Sequence, residues 1–283
     1  GVDKRDAAVR QGVKRWTDPQ VTADMLGVTG PTTQLKLQAI IDIHRDADGP
    51  PVRPVAVTAA EDEWRAVPTI EFFVDFETVS SLNDDMALFP RQHGQPLIYM
   101  IGCGHLRDGV WQFRTFTTDR LTEACEAEII DAWLAHMDEV TNAAGGVSPA
   151  RVFHWSSAEV SFYSTAHDSA RIRQPAKGWP DLGWFDLLSL VFRAEPVVIR
   201  GALGFGLKAV AKAAYRHGLI ETSWGESKVD GLGAMIGAWW CDAEAGRRGA
   251  SMRELDLMQE IEGYNQVDCK VMMELLYLLR SDH

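Results

Sequence analysis

The spacing of hydrophobic residues changes from helical to alternating near residue 69, and this change divides the chain. Residues 1–66 are predicted to form short helices separated by turns, at Asp6–Trp16, Gln20–Met25 and Thr33–His44. The Pro-rich stretch Gly49–Pro54 ends the last helix and is typical of a linker. We interpret residues 1–66 as a helical N-terminal extension, either an accessory arm or the tail of an upstream domain, and residues 67–283 as the main domain.

From Thr69 onward, the pattern predicts three strands in succession and then strands that alternate with helices. An Asp-Gly turn joins two of the strands as a hairpin. Strands are predicted at Thr69–Val79, Leu97–Leu106, Val110–Phe116, Arg151–Trp155 and, as a short strand or turn, Trp184–Leu190. Helices are predicted at Thr118–Val140, from Ser156 onward, and at Gly206–His217, Leu232–Ala245 and Met252–Arg280. This order indicates an α/β fold with a mixed sheet.

Composition and charge narrow the class of protein. The chain has 283 residues, of which 46% are hydrophobic and 24% charged, values typical of a globular protein and not of a disordered one. The formal net charge of -12 argues against a general nucleic-acid coat, which needs a broad basic surface. It is compatible with an enzyme that concentrates carboxylates around metal ions.

Other features of the sequence bear on the compartment. No apolar run approaches the length of a membrane span, so we expect no membrane association. The cysteines are scattered along the chain and are typical of free thiols in a reducing cytoplasm: Cys103, Cys125, Cys241 and Cys269. The chain begins with Gly, and we expect it to be a piece of a longer cytoplasmic protein.

Two carboxylates on the first predicted strand are the first candidates for chemistry. Because side chains alternate along a strand, Asp75 and Glu77 leave the same face, and the apolar residues between and before them leave the other. Like charges this close repel and are costly to desolvate, and a divalent cation between them removes that cost. The alternative is a pair of acids on the solvated face of an edge strand.

The last predicted helix and two intermediate segments supply further acids. Tyr264 and Asp268 are four residues apart on the apolar face of the last helix, where Asp268 needs a partner, either a metal ion or a buried base. Glu159 lies in the first turn of the helix after Arg151–Trp155, where ordinary helix-start chemistry also favours an acid. Asp186 stands within an apolar stretch, where charged residues are rare.

These segments together resemble a known family. VDFET at 74–78, HWSSAE at 154–159, WFDLLSL at 184–190, GLKAV at 206–210 and YNQVDC at 264–269 follow the order and spacing of DnaQ-like 3′-5′ exonucleases of the tyrosine (DEDDy) subtype. The chain is most similar to the YprB-type ribonuclease H-like domain at the C-terminus of predicted RecB-family (Cas4-like) nucleases. The resemblance covers residues 69–280 and implies a ribonuclease H-like, mixed five-stranded sheet flanked by helices.

The resemblance also implies an activity and a set of site residues. The activity is two-metal hydrolysis at single-stranded DNA or RNA 3′ ends with Mg²⁺ or Mn²⁺. The implied metal ligands are the acids Asp75, Glu77, Glu159, Asp268 and, as a further or reserve ligand, Asp186. Tyr264 would orient or deprotonate the attacking water, and Asp75, Glu77, Glu159, Tyr264 and Asp268 form the catalytic set. Glu159 stands where the family motif usually has Asp. The motifs place Thr78, His154 and Trp155 beside the substrate, and an upstream RecB/Cas4-like nuclease domain is an implied partner.

A basic stretch is the candidate for phosphate contact. Residues 193–217 carry five Lys or Arg and one Glu in an otherwise acidic chain. Lys208 and Lys212 are four residues apart on one predicted helix and are candidates for substrate binding. A solvated helix face is the alternative reading of these two lysines.

Three functions remain open at the level of sequence. The first is the metal-dependent exonuclease, and the second is a nucleic-acid-binding module with a decayed catalytic centre that serves a fused or partner nuclease. The third is another ribonuclease H-like chemistry, either cleavage of RNA–DNA hybrids or junction resolution. Enzymes of that kind do not need a tyrosine four residues before the last acid, so Tyr264 argues against this function.

Overall fold

The computed structural model describes residues 2–80, 96–147, 149–174, 177–225 and 231–282. Contacts within the chain divide it into two units. The first comprises Gly1–Ala66, Leu187–Ser223 and Glu274–His283, and the second comprises Val67–Asp186 and Trp224–Met273. The predicted boundary between residues 66 and 67 is therefore one point where the chain passes between units, and later segments return to the first unit.

From residue 69 onward, each predicted strand and helix is present in the predicted order, whereas three short elements were not predicted: Val52–Arg53, which lies within the predicted linker, Glu61–Trp64 and Val198–Ile199. The strands are β1 (Val52–Arg53), β2 (Glu71–Val79), β3 (Leu97–Arg107), β4 (Val110–Thr117), β5 (Arg151–His154), β6 (Gly183–Asp186) and β7 (Val198–Ile199). The helices are α1 (Val2–Arg10), α2 (Pro31–Arg45), α3 (Glu61–Trp64), α4 (Glu123–Ala143), α5 (Ala158–Arg173), α6 (Leu207–Arg216), α7 (Gly231–Arg248) and α8 (Asp256–Asp282). None of the described helices is both long and apolar enough to cross a lipid bilayer.

The second unit is built on a five-stranded mixed sheet with the order β4-β3-β2-β5-β6. Strands β2, β3 and β4 form an antiparallel meander, and β5 and β6 add to β2 in parallel. Helices flank the sheet, as the sequence predicts. The α/β fold and its ribonuclease H-like arrangement are thereby confirmed.

The two faces of β2 differ as the alternation of its residues predicts. Phe72, Val74 and Phe76 are buried with Ile70 in a core that includes residues of α4 and α5. The opposite face packs against α7, where Val79, Tyr99 and Met100 form a second apolar cluster with small residues of that helix. Because both faces are covered, a carboxylate on β2 is enclosed rather than solvated. The reading of Asp75 and Glu77 as acids on a solvated edge strand is therefore wrong, since β2 is the central strand.

The first unit departs from the predicted helices in its N-terminal part. No helix forms over Gln20–Met25, because side chains hold the backbone in turns there. Thr22 Oγ1 accepts from the Met25 amide at 3.1 Å, and Gln38 Oε1 accepts from the Ala23 amide at 2.9 Å. Helix α1 ends at Arg10, because Gly12 adopts a φ of 82°, outside the helical region. The four cysteines are free, as predicted.

Candidate metal centre

Three carboxylates converge on the α7 and α8 side of the sheet. Asp75 and Glu77 come from β2, and Asp268 comes from α8. One oxygen from each lies within 4.8 Å of the others, and this is the one such group among the described residues. Glu77 and Asp268 are 8% and 5% exposed, while Asp75 is half-buried.

The chemistry of this donor set fits a divalent cation. Three carboxylates at this separation repel one another, and burial weakens the screening that water would supply. A hard cation such as Mg²⁺ or Mn²⁺ binds carboxylate oxygens and retains open positions for water and phosphate. The predicted ligands Asp75, Glu77 and Asp268 thus lie together in a site suited to such a cation.

Asn265 connects the helix to the strand at the centre of this group. Its Nδ2 donates to Asp75 Oδ2 at 2.7 Å and to the Asp75 carbonyl oxygen at 3.1 Å. Asn265 is fully buried, so this amide fixes both the carboxylate and the backbone of Asp75. Position 265 lies one residue after Tyr264 and three before Asp268, and α8 therefore supplies one of the three carboxylates and the amide that orients another.

Gly102 makes this close approach of α8 and the sheet possible. Gly102 pairs with Asp75 across the β2–β3 ladder. A Cβ atom at position 102 would lie 1.7 Å from Asn265 Oδ1 and 3.1 Å from Cys269 Sγ. Only glycine at position 102 leaves room for the Asn265 side chain above the strand. Gly102 therefore allows Asn265 to reach Asp75.

Tyr264 lies beside the carboxylates, as its spacing from Asp268 predicts. It is buried, and its hydroxyl donates to the Asp268 carboxylate. Burial is the largest cause that raises the pKa of Tyr264, and the charges of Asp268, Glu77 and Asp75 add to it. The neutral hydroxyl is therefore a hydrogen-bond donor or acceptor next to the carboxylates.

The hydroxyl of Tyr99 is the second hydroxyl near these carboxylates. The β2–β3 register shifts between Glu77 and Thr78, where Glu77 pairs with Met100 and Thr78 with Ile98, so that Tyr99 is the additional residue. Its hydroxyl donates to the Ala234 carbonyl oxygen at 3.2 Å. Burial, followed by the charge of Glu77, raises the pKa of Tyr99. Sequence reasoning missed this residue, since nothing in the alternating pattern marks a bulge.

Glu159 and His154 form a buried pair at the end of β5. Glu159 Oε2 lies 3.5 Å from His154 Nδ1, and the two side chains are 8% and 2% exposed. His154 Nδ1 also contacts the Ser156 carbonyl oxygen, and the ring packs edge-on against Trp184 at 5.4 Å. Among the described residues, Glu159 Oε2 has no hydrogen-bond partner. A buried carboxylate oxygen in this state is suited to a cation or a proton-bearing ligand.

The parallel strands bring the remaining predicted acid to the same edge of the sheet. His154 and Asp186 are the last residues of β5 and β6 and pair in the parallel register. β2 pairs with β5 only as far as Phe73, so Asp75 and Glu77 lie beyond this pairing. They are at the edge of the sheet where β5 and β6 end. Glu159 and Asp186 do not belong to the group within 4.8 Å described above.

The predicted substrate-binding residues fall into two sets. Thr78 and Trp155 lie in the second unit, at the register shift of β2 and directly after β5, where Thr78 is half-buried and Trp155 is 7% exposed. Lys208 and Lys212 lie on α6 in the first unit, where Lys208 is half-buried and Lys212 is exposed.

Comparison of the chain with protein-family models, with curated proteins and with solved structures finds no match. The assignment of the site therefore depends on its own residues and geometry.

Proposed function

We propose that the protein is a metal-dependent 3′-5′ exonuclease that hydrolyses phosphodiester bonds at single-stranded DNA or RNA ends. The observation that carries this proposal is the group of Asp75, Glu77 and Asp268, whose oxygens lie within 4.8 Å of one another in a largely buried site. The resemblance of VDFET and YNQVDC to the first and last motifs of DnaQ-like exonucleases supports the polarity and the substrate.

Different residues would hold the metal ions and orient the groups around them. Asp75, Glu77 and Asp268 would hold the cations, Mg²⁺ or Mn²⁺, with Glu159 and Asp186 completing the ligands of a second ion. When bound, two cations supply a hydroxide nucleophile and stabilise the leaving 3′ oxygen. Asn265 keeps the Asp75 carboxylate in one orientation through its 2.7 Å hydrogen bond.

Tyr264 has the geometry of a residue that positions water. Its hydroxyl is hydrogen-bonded to Asp268, which fixes the phenol beside the ligands. A hydroxyl held in this way can accept a hydrogen bond from the attacking water and align it with the scissile phosphate. We assign Tyr264 this orienting role.

Substrate contacts are proposed on the same basis. Thr78 lies on β2 with Asp75 and Glu77, and His154 and Trp155 lie at the end of β5, where His154 contacts Glu159. We assign these three residues to the terminal nucleotide. We assign Lys208 and Lys212 to substrate binding through phosphate groups, where a cation contributes mainly through charge. We further propose that the protein acts in the cytoplasm and that an upstream RecB-family nuclease domain accompanies it.

One observation favours a second candidate function. Glu159 lies 3.5 Å from His154 and outside the tight group of three carboxylates. If the second cation is not held, the domain is a nucleic-acid-binding module with a decayed centre that serves a partner nuclease.

Cleavage assays on substrates labelled at either end separate these two functions and report the polarity of cleavage. Single-stranded DNA and RNA, labelled at either end, are incubated with Mg²⁺, Mn²⁺ or EDTA. A 3′-5′ exonuclease converts 5′-labelled strands into a descending ladder and releases mononucleotides from 3′-labelled strands at once. Retained binding without cleavage in either metal supports the decayed module and contradicts the exonuclease. Internal cleavage of both substrates contradicts the proposed polarity.

A further inference from the structure

A cavity of ≈ 700 Å³ lies at the end of the sheet opposite the carboxylates. Its wall includes Ile70 before β2, Leu106 near the end of β3 and Val140 on α4. Ile70 is about 16 Å from Asp75 along the strand, at the usual rise per residue. Ile70 also belongs to the α4 face of the sheet, whereas Asp75 faces α8. The cavity is therefore separate from the candidate metal centre.

Two histidines in the wall of this cavity have unsatisfied ring nitrogens. His105 of β3 and His136 of α4 have ring centroids 5.9 Å apart, and His105 is only 5% exposed. In the described part of the chain, the buried atoms His105 Nδ1 and His136 Nε2 have no hydrogen-bond partner. A buried polar atom without a partner costs about 1–3 kcal/mol. Each imidazole therefore has a ring nitrogen available for a hydrogen bond to a molecule in the cavity.

The cavity wall carries charges of both signs, and its two cations act on the two rings. Arg107 and Arg114 line the cavity, and so do Asp108 and Glu139. Burial and then its charged neighbours lower the pKa of His105 to about 4. Burial is the largest cause that lowers the pKa of His136, and the further lowering by Arg114 exceeds the opposite effect of Glu139.

We propose that this cavity binds a small molecule that carries a phosphate group, with the two arginines holding the phosphate and the two histidines hydrogen-bonding to it. Guanidinium groups bind phosphate oxygens in a bidentate manner and repel cations. Two imidazoles are also a usual ligand pair for Zn²⁺, but among the described residues no third His, Cys, Asp or Glu completes a metal-binding group with them. The volume lies within the range of small-molecule sites, and Leu106 and Phe113 offer an apolar wall to a nucleoside.

Calorimetric titration with AMP and with inorganic phosphate tests this proposal. The protein is kept in EDTA, so that the carboxylates cannot bind AMP through a cation and the result is independent of the proposed nuclease activity. AMP is expected to bind with one-to-one stoichiometry and to be displaced by phosphate. Arg114→Gln, which alters an exposed side chain, is expected to weaken the affinity about tenfold, the loss of one charge-assisted contact. His136→Phe keeps an aromatic ring but removes the ring nitrogens, and it is expected to weaken the affinity for AMP similarly.

The matched control is Arg171→Gln, which removes the same charge from a 64% exposed side chain on α5. This variant is expected to bind AMP as the unaltered protein does. The proposal is overturned if neither AMP nor phosphate binds, or if Arg114→Gln and Arg171→Gln have equal effects. A separate titration with Zn²⁺ in buffer without chelator covers the metal alternative, and Zn²⁺ binding that His136→Phe abolishes, without AMP binding, also overturns it.

Discussion

Asn265 on α8 holds Asp75 on β2 by two hydrogen bonds, at 2.7 Å to the carboxylate and at 3.1 Å to the carbonyl oxygen. A carboxylate that must bind a cation in one orientation gains from such a partner, because a fixed ligand loses less freedom on binding. The same pair ties the last helix to the central strand. Metal affinity and the packing of α8 are therefore expected to change together when either residue is altered.

Substitution of Asn265 by Leu tests this coupling. Leu has a similar volume and no hydrogen-bonding group, so Asp75 keeps its charge and loses its orientation. We expect Mn²⁺ affinity, measured by calorimetry, to fall about 10- to 100-fold, as for other residues that orient metal ligands. Gln266→Leu, at the exposed neighbouring position, is the control and should bind Mn²⁺ normally. Equal affinities in the two variants would remove Asn265 from the site.

The second prediction concerns the close approach at Gly102. Gly102→Ala would place a methyl group 1.7 Å from Asn265 Oδ1, so the amide must move away from Asp75. We expect the free energy of unfolding to fall by about 1–3 kcal/mol, a usual cost of overpacking, and Mn²⁺ affinity to fall with it. Gly263→Ala in α8 meets open space and is expected to be neutral or stabilising. Full metal affinity in Gly102→Ala would show that the amide does not position Asp75.

The third prediction follows from the repulsion among the three carboxylates. In EDTA, Glu77→Gln removes one of three neighbouring negative charges, and we expect the free energy of unfolding to rise by about 1 kcal/mol. With Mg²⁺ added, the unaltered protein should gain stability through binding, whereas Glu77→Gln should gain little. Thermal melts with and without Mg²⁺ measure both effects. If Mg²⁺ stabilises both proteins equally, the cation binds elsewhere.

The fourth prediction uses the low pKa of His105. Its pKa is about 4 in the folded protein against an ordinary 6.5, with burial as the main cause. Between these values the unfolded chain binds a proton that the folded chain does not, so stability falls as the pH drops from 6.5 to 4. The loss from this residue is up to about 3 kcal/mol. Urea unfolding of His105→Gln across this range should show a flatter pH dependence than the unaltered protein, and parallel curves would contradict the assignment.

The sequence predicted the parts of this site that depend on simple periodicity. Alternation placed Asp75 and Glu77 on one face of β2, and the four-residue spacing placed Tyr264 beside Asp268, as the structure confirms. It did not predict Tyr99, because a register shift leaves no mark in the hydrophobic pattern. Asn265 was visible within YNQVDC, but its role depends on contact with a strand about 190 residues earlier.

Loops and short elements were predicted less well for a related reason. The stretch at Gln20–Met25 has helical spacing, yet hydrogen bonds from Thr22 and Gln38 hold it in turns. The predicted strand or turn at Trp184–Leu190 divides into β6, which ends at Asp186, and a π-helical turn at Leu188–Phe192. Gln38 lies 15 residues from the Ala23 amide that it contacts, beyond the short window in which periodicity is counted.

The rate of hydrolysis by Asp268→Asn shows whether the three carboxylates form a catalytic metal centre. This substitution keeps the size of a 5% exposed side chain and removes a ligand charge, whereas Asp256→Asn makes the same change at an exposed position of α8. With 5′-labelled single-stranded DNA and RNA and Mg²⁺ or Mn²⁺, we expect metal-dependent shortening by the unaltered protein and by Asp256→Asn. We expect Asp268→Asn to lose at least about a hundredfold in rate, since a lost ligand costs several kcal/mol of charge stabilisation. Equal rates for the two variants would contradict the assignment of the carboxylates as a catalytic metal centre.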